Sequence, residues 1–324
     1  MSRSPRPARH VLRAAYACLA AGLALALPGA SPAVAVAPPL SHPRIVHHFD
    51  LARKQQPENI ALEPDGSADL TLSYARQIVR VDREGRSTVL ATLPAPKHSR
   101  TPLVNAPLVT GIARAHDGTL YFGYATGTTD LHGIWRLRPG GGPERIAALP
   151  VTGFPNGLAL DESEHRLYTA DSALGVVHVV PTHGGTARTW SDDSLLKPSV
   201  AFGANGLKVH RHAVWVTNTD TGDLLRIPVR HDGTAAPAEV RASGLTSVDD
   251  FAFTGRGDTL IATLNLSGEA AYVEADGSHH TVLTSGDGLS NPTSVAVRGN
   301  TVYIPSAAYF THTDPNLLRA DLHS

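Results

Sequence analysis

The pentapeptide NGLAL at residues 156–160 decides the fold, because it recurs in altered form along the whole chain. Alone, Asn-Gly beside apolar residues predicts a tight hairpin turn. The chain repeats it as NGLKV at 205–209, and four further pentapeptides align with this pair: ENIAL at 58–62, TGIAR at 110–114, DDFAF at 249–253 and TSVAV at 293–297. Their starts lie 44 to 52 residues apart, and each is followed by a turn signal and a second apolar run. The repeat therefore marks a structural unit of several short strands.

Six units of this length predict an all-β fold, a six-bladed β-propeller. Third strands follow in at least five copies, for example QIVRVD at 77–82 and DLLRIP at 223–228. The segment RIVHHFDL at 44–51 has no unit of its own. We expect it to close the ring as the outer strand of the sixth blade, because closure removes exposed strand edges. No helix pattern or long linker interrupts the repeats, so we predict a single domain over residues 38–324.

The composition is that of a globular protein without marked charge bias. The chain has 324 residues, 42% hydrophobic and 18% charged, with a formal net charge of −1. A net charge this close to zero gives no indication of binding to nucleic acid or to an anionic membrane. We expect a monomer whose partner is a small-molecule substrate.

Residues 1–37 are predicted to be a secretory signal peptide, which makes the protein secreted and free of the membrane after cleavage. Four arginines precede the apolar run AAYACLAAGLALAL, and small residues follow in GASPAVAVA. The one cysteine, Cys18, lies in the apolar run. The mature chain would contain none, which excludes disulfides, cysteine-ligated zinc and a cysteine nucleophile.

The first residue of every pentapeptide carries a side-chain oxygen: Glu58, Thr110, Asn156, Asn205, Asp249 and Thr293. The first strand of each propeller blade lies beside the central channel, so these six residues should form a ring around it. The apolar residues two positions after them should form a hydrophobic wall below that ring. Two carboxylates and two carboxamides on one axis would repel or stay unpaired unless a cation binds there. Hard oxygen donors without Cys or His suit Ca²⁺ better than Mg²⁺ or Mn²⁺. A purely structural polar ring is the alternative.

Four of these residues, taken in order along the chain, form a pattern that resembles the senescence-marker-protein/gluconolactonase family of six-bladed propellers. That family is related to the paraoxonases and diisopropyl fluorophosphatase. The matching motifs are PENI, PNGL, ANGL and VDDF, and the resemblance covers the whole mature chain. It implies that a catalytic divalent cation, commonly calcium, is bound by Glu58, Asn156, Asn205 and Asp249.

Three positions depart from the pattern of that family. Thr110 stands where paraoxonase-like members carry His, Phe154 where sugar lactonases often place Arg, and Asp250 where many members have Gly or Asn. Together with Thr293, these are the predicted substrate-binding residues. Possible rim residues are Phe251, Tyr124 and Trp135, and with Phe154 they indicate a substrate less polar than an aldonolactone.

The predicted function is metal-dependent hydrolysis of a lactone or ester. Asp249 is the predicted general base or nucleophile, because it is both a ligand and an acid. The sequence holds no G-x-S-x-G elbow that would supply a serine instead.

Two other hypotheses remain open. One is a non-hydrolytic enzyme of secondary metabolism that catalyses a cycloaddition or condensation by positioning its substrates. Failure to hydrolyse any lactone would favour it. The other is a non-enzymatic extracellular binding propeller with structural calcium, which would show calcium-dependent stabilisation without turnover.

Overall fold

The structure of the protein, a computed structural model, describes residues 39–323. Six four-stranded antiparallel sheets follow one another along the chain, and the six-bladed all-β propeller is confirmed. The segment predicted to be a signal peptide lies outside the described residues and stays a prediction. Within the described range, no helix is long and apolar enough to cross a membrane.

Each of the first five blades is built from four consecutive strands that run from the channel outward. The strands of blades one and two are β2 (Pro57–Leu62), β3 (Ala68–Leu72), β4 (Gln77–Val81), β5 (Ser87–Thr92), β6 (Leu108–Arg114), β7 (Leu120–Ala125), β8 (Gly133–Leu137) and β9 (Pro143–Ala148). Those of blades three and four are β10 (Pro155–Asp161), β11 (Arg166–Asp171), β12 (Val176–Pro181), β13 (Arg188–Ser191), β14 (Ala204–His210), β15 (Ala213–Asn218), β16 (Asp223–Pro228) and β17 (Glu239–Ala242). Blade five contains β18 (Val248–Phe253), β19 (Leu260–Leu264), β20 (Glu269–Val273) and β21 (His279–Leu283).

Blade six joins the two ends of the propeller. It contains β22 (Ala296–Arg298), β23 (Thr301–Ser306) and β24 (Asn316–Leu322), and its outer strand is β1 (Leu40–His48). The antiparallel register pairs Leu40 with Leu322 and His48 with Asn316. The predicted closing strand is therefore confirmed, and it covers the edge that β24 would otherwise expose. Short 3₁₀ turns complete the described secondary structure: Leu51–Arg53, Ser194–Leu196 and Ser285–Asp287.

The apolar residues two positions after each ring residue are buried, but they do not form one wall around the channel. Each packs into a different core cluster, and each cluster fills the space between two adjacent blades. The six are Ile60, Ile112, Leu158, Leu207, Phe251 and Val295. The expected hydrophobic wall is thus wrong. Side chains in a blade point to its two faces, so an apolar residue of the inner strand is buried against the next blade.

A β-bulge interrupts the inner strand at the ring position in blades one to five. The register shifts occur between Pro57 and Asn59, Val109 and Ile112, Pro155 and Leu158, Ala204 and Leu207, and Val248 and Phe251. Every shift contains the ring residue of its blade. Because a bulge breaks the regular alternation of side chains, it can aim a residue away from both blade faces.

Glycine follows the ring residue where inner strands of neighbouring blades approach most closely. A Cβ atom on Gly111 would lie 2.4 Å from the Asn156 carbonyl oxygen, and one on Gly157 would lie 2.3 Å from that of Asn205. On Gly206 the corresponding distance to the Asp249 carbonyl oxygen is 2.6 Å. The Asn-Gly pairs therefore serve the packing of strands at the axis rather than a hairpin turn.

We predict that Gly157→Ala lowers the free energy of unfolding by about 2–3 kcal/mol, because the backbone of the next blade must move to admit the methyl group. Gly142→Ala is the matched control, since a Cβ there meets no atom within 4 Å, and it should change stability by less than about 0.5 kcal/mol. Urea unfolding followed by tryptophan fluorescence measures both. Equal stabilities of the two variants would contradict close packing at the axis.

Candidate active site

The four predicted metal ligands each lie near the beginning of an inner strand. Glu58 is on β2, Asn156 on β10, Asn205 on β14 and Asp249 on β18, and their exposed fractions range from 5% to 9%. The Asn205 side chain donates a hydrogen bond from Nδ2 to Asp249 Oδ1, at 3.0 Å. This end of the channel, which we call the mouth, also carries the loops that lead into the inner strands.

The Asp249 carboxylate is held by a carboxamide on each side. Asn205 donates to Oδ1, and Asn265 donates from Nδ2 to Oδ2 at 3.1 Å. Burial raises the pKa of the Asp249 carboxyl well above its usual range, and the charges of Glu58 and Asp250 raise it further. The two carboxamide hydrogen bonds oppose this shift. Asp249 is thus a fixed carboxyl with a raised pKa, and a carboxyl of this kind can serve in proton transfer.

The Glu58 carboxylate is positioned by a tyrosine that is distant from it in the sequence. The Tyr309 hydroxyl donates to Glu58 Oε2 and also contacts Ser73 Oγ at 2.7 Å. Burial raises the pKa of Glu58 from 4.5 to about 7; the Tyr309 hydrogen bond lowers it, and the Asp250 charge raises it. Sequence reasoning missed Tyr309, because it lies in the loop between β23 and β24 of blade six, outside the repeated pentapeptides.

The two ring asparagines bond to the protein through their amide nitrogens. Asn156 Nδ2 donates to Ser172 Oγ at 3.2 Å, and Asn205 Nδ2 donates to Thr219 Oγ1 at 2.8 Å as well as to Asp249. Neither Oδ1 atom accepts a hydrogen bond from another described residue. Each carboxamide therefore keeps an oxygen acceptor available at the mouth.

This donor set fits a hard divalent cation. Within residues 39–323, neither Glu58 nor Asp249 forms a salt bridge with a basic side chain, so two buried acids share a site without a counter-charge. No group of three or more His, Cys, Asp or Glu side chains in that range is placed to hold a metal. A metal here would rely on two carboxylates and two carboxamide oxygens, which is ordinary calcium chemistry.

The two ring threonines do not present free hydroxyls in the same way. Thr293 Oγ1 donates towards the carbonyl oxygens of Pro57 and Pro305, at 3.0 and 3.3 Å. Thr110 is fully buried, and its hydroxyl has no hydrogen-bond partner among the described residues. Their assignment to substrate binding stays a prediction, and four of the six ring positions carry the polar chemistry of the mouth.

Asp250 lies next to Asp249 but has a different environment. Its carboxylate accepts hydrogen bonds from Lys208 Nζ at 2.7 Å, from Ser294 Oγ at 2.6 Å and from Asn59 Nδ2 at 3.2 Å. An ammonium group therefore neutralises this acid inside the protein. Its predicted contact with substrate is untested, but the carboxylate is already well supplied with donors. Lys208, in the fourth pentapeptide, was not recognised from sequence.

Phe154 lies at the mouth but is only 3% exposed, and its ring packs edge-on against Phe202 with centroids 6.0 Å apart. Its backbone N–H donates to Asp171 Oδ1 at 2.8 Å, which fixes the segment that leads to Asn156. The proposed rim residues Tyr124, Trp135 and Phe251 are instead buried in cores between blades. That expectation is wrong, because their strand positions face the neighbouring blade.

Two clefts open at the end of the propeller opposite the mouth. A cleft of about 480 Å³ includes Arg166, Arg188 and Trp190, and one of about 530 Å³ includes Arg80 and Arg114. None of the predicted site residues lines either of them. The candidate site is therefore distinguished by its converging polar groups and not by the size of a cavity.

Comparison with solved structures places the chain among known propellers at the level of fold. A gluconolactonase from Xanthomonas campestris has 14% identity and a TM-score of 0.65, over 88% of this chain and 95% of that one. Regucalcin, a calcium-binding protein from Agrobacterium tumefaciens, has 16% identity and a TM-score of 0.63, over 86% and 93%.

A third similar structure shows how widely this fold is used. The PQQ-bound aldose sugar dehydrogenase from Streptomyces coelicolor has 15% identity and a TM-score of 0.62, over 89% of this chain and 100% of that one. No protein-family profile and no curated protein matches the chain. At such identities the likeness shows a gluconolactonase- and regucalcin-like propeller fold, which by itself does not assign an activity.

The raised carboxyl pKa values predict that the metal-free protein becomes less stable as pH rises. An acid with a higher pKa in the folded than in the unfolded chain binds a proton more tightly when folded, so stability is lost as pH increases through the folded pKa. For Glu58, the rise from 4.5 to about 7 corresponds to about 3 kcal/mol lost between pH 4 and pH 8.

Chemical unfolding in chelator across that pH range measures this loss. Glu58→Gln should flatten the pH dependence and make the metal-free protein more stable than the parent at pH 8. Glu84→Gln is the control, because the Glu84 side chain is 65% exposed. If Glu58→Gln leaves the pH profile parallel to that of Glu84→Gln, Glu58 does not carry the effect.

Proposed function

We propose that the protein is a metal-dependent hydrolase acting on a lactone or ester at the mouth of the channel. The observation that carries this proposal is the pair of buried acids, Glu58 and Asp249, flanked by two carboxamide oxygens and, within residues 39–323, in no salt bridge with a basic side chain. The names of two fold neighbours, a gluconolactonase and a calcium-binding protein, support the same chemistry.

The residues that would hold the cation are Glu58, Asn156, Asn205 and Asp249, with Ca²⁺ the best match to their chemistry. When bound, it would supply a Lewis acid that polarises the carbonyl oxygen of the substrate. Tyr309 keeps Glu58 in place through its hydroxyl, and Ser172 keeps Asn156 in place through its Oγ atom. These contacts pre-orient the donors before substrate arrives.

Asp249 is the residue we assign to proton transfer. As general base, one of its carboxylate oxygens takes a proton from water while the water oxygen forms a bond to the acyl carbon; the C–O bond to the alcohol then breaks, and the protonated Asp249 returns its proton to the leaving alkoxide. As nucleophile, the same oxygen would attack the acyl carbon and expel the alkoxide, which takes a proton from a water molecule. The hydroxide so formed would then hydrolyse the acyl–aspartyl anhydride and restore the carboxylate. Asn205 and Asn265 fix both carboxylate oxygens for either role.

We predict that calcium stabilises the protein and that Glu58→Gln abolishes the effect. A ligand at 100 times its Kd stabilises the folded state by about 2.7 kcal/mol. Because the cation needs deprotonated carboxylates, the stabilisation should increase from pH 5 to pH 8. Thermal unfolding with calcium and with chelator measures this, and Glu84→Gln should behave as the parent does. An absence of any shift with calcium, magnesium or manganese would contradict the metal site.

We further predict that Asp249→Asn reduces kcat by more than about 100-fold on any lactone or ester that the parent hydrolyses. A panel of lactones, aryl esters and phosphotriesters, assayed with calcium, identifies the reaction. Glu84→Gln again serves as the control for expression and folding. Full activity of Asp249→Asn would remove Asp249 from the mechanism.

A further inference from the structure

A seventh apolar cluster lies at the mouth, separate from the six cores between blades. Its buried members are Leu108, Ala125 and Phe154, and its partly buried members are Tyr74, Val104, Ala106, Ala173 and Phe202. These residues come from loops and strand ends of blades one to four. The cluster therefore borders the channel along an arc instead of filling the gap between two sheets.

This arc, which we call the mouth cluster, reaches the polar site at both ends. At one end, the rings of Tyr74 and Tyr309 pack edge-on with centroids 5.8 Å apart, and Tyr309 donates to Glu58. Near the other end, Phe154 lies two residues before Asn156 and packs on Phe202. A ligand whose reacting group lies between Glu58 and Asp249 would thus have apolar side chains along one flank.

A short loop over blade two brings part of this surface to the mouth. The Thr101 hydroxyl donates to the Ala106 carbonyl oxygen at 2.6 Å and accepts from the Ala106 N–H at 2.9 Å, which closes residues 101–106 into a compact turn. Inside it, Leu103 and Asn105 have φ angles of +72° and +50°. The turn packs Val104 into the mouth cluster and leaves Leu103 41% exposed.

The backbone around the mouth cluster offers few polar partners to a ligand. Asp171 Oδ1 accepts the N–H groups of Phe154, Ala173 and Leu174. The Asp220 carboxylate accepts those of the four residues from Ser199 to Phe202. These N–H groups are therefore satisfied internally, and a hydroxyl-rich ligand placed on this flank would find no free donor among them.

We propose that the natural substrate is a lactone or ester carrying an alkyl or aryl group, and that this group packs against the partly exposed side chains of Phe202, Tyr74 and Val104. The proposal rests on the hydrolase function proposed above and specifies its substrate class. Burial of the group would contribute binding energy in proportion to the apolar area removed from water. A polyhydroxylated sugar lactone would gain little from this surface.

A binding experiment tests the apolar surface without requiring turnover. Isothermal titration of the protein with n-alkyl amides from butanamide to octanamide, which carry a carbonyl but resist hydrolysis, should show Kd falling about three- to fourfold for each added methylene. Phe202→Ala and Val104→Ser should each weaken octanamide binding at least fivefold and butanamide binding less than twofold. Val200→Ser is the matched control, because Val200 is 89% exposed, lies two residues from Phe202 and is outside the mouth cluster.

Affinity that does not change with chain length, or equal losses in Phe202→Ala and Val200→Ser, would overturn the proposal. Turnover in calcium gives an independent result: kcat/KM for γ-decalactone should exceed that for γ-butyrolactone at least tenfold, and preference for δ-gluconolactone would also overturn it. If the amide series behaves as expected but no lactone or ester is hydrolysed, the hydrolase function fails and the apolar ligand class stands.

Discussion

The close approach of the inner strands at the channel axis is the constraint on which the site depends. In blades two to four, only glycine fits after the ring residue, because a Cβ there would overlap the backbone of the next blade. The β-bulges allow the strands to meet this condition while turning one side chain per blade towards the mouth. Backbone packing and presentation of polar groups are therefore two results of the same geometry.

Electrostatics divide the acids near the axis into two kinds. Asp250 is neutralised by Lys208 and satisfied by Ser294 and Asn59, so it behaves as a structural ion pair within the propeller. Glu58 and Asp249 have hydrogen-bond donors but form no salt bridge with a basic side chain in the part of the chain that the structure describes, and burial raises the pKa of both. An unneutralised buried charge is costly to a folded protein. A bound cation would offset this cost, so Glu58 and Asp249 are candidates for cation binding and catalysis.

The mouth combines this polar site with an apolar flank, and the two are joined by Tyr309. Its hydroxyl donates a hydrogen bond to Glu58, and its ring packs against Tyr74. An aromatic side chain with one polar atom can bridge such surfaces without leaving its hydroxyl unpaired. The loops that supply the flank connect strands of a rigid ring, which is the usual arrangement for sites whose specificity varies between proteins of one fold.

Much of the architecture follows from sequence, because a repeated strand pattern is a local property. The period of the pentapeptides predicts six blades, RIVHHFDL predicts the closing strand, and the aligned first letters predict which residues meet at the axis. Tertiary structure alone decides how those residues are used. Tyr309 and Glu58 are 251 positions apart, and neither the Lys208–Asp250 pair nor the mouth cluster follows the repeat. Asp249 and Asp250 are identical letters side by side, and only their tertiary neighbours distinguish them: Asn205 and Asn265 hold one as a candidate catalyst, and Lys208 makes the other half of an ion pair.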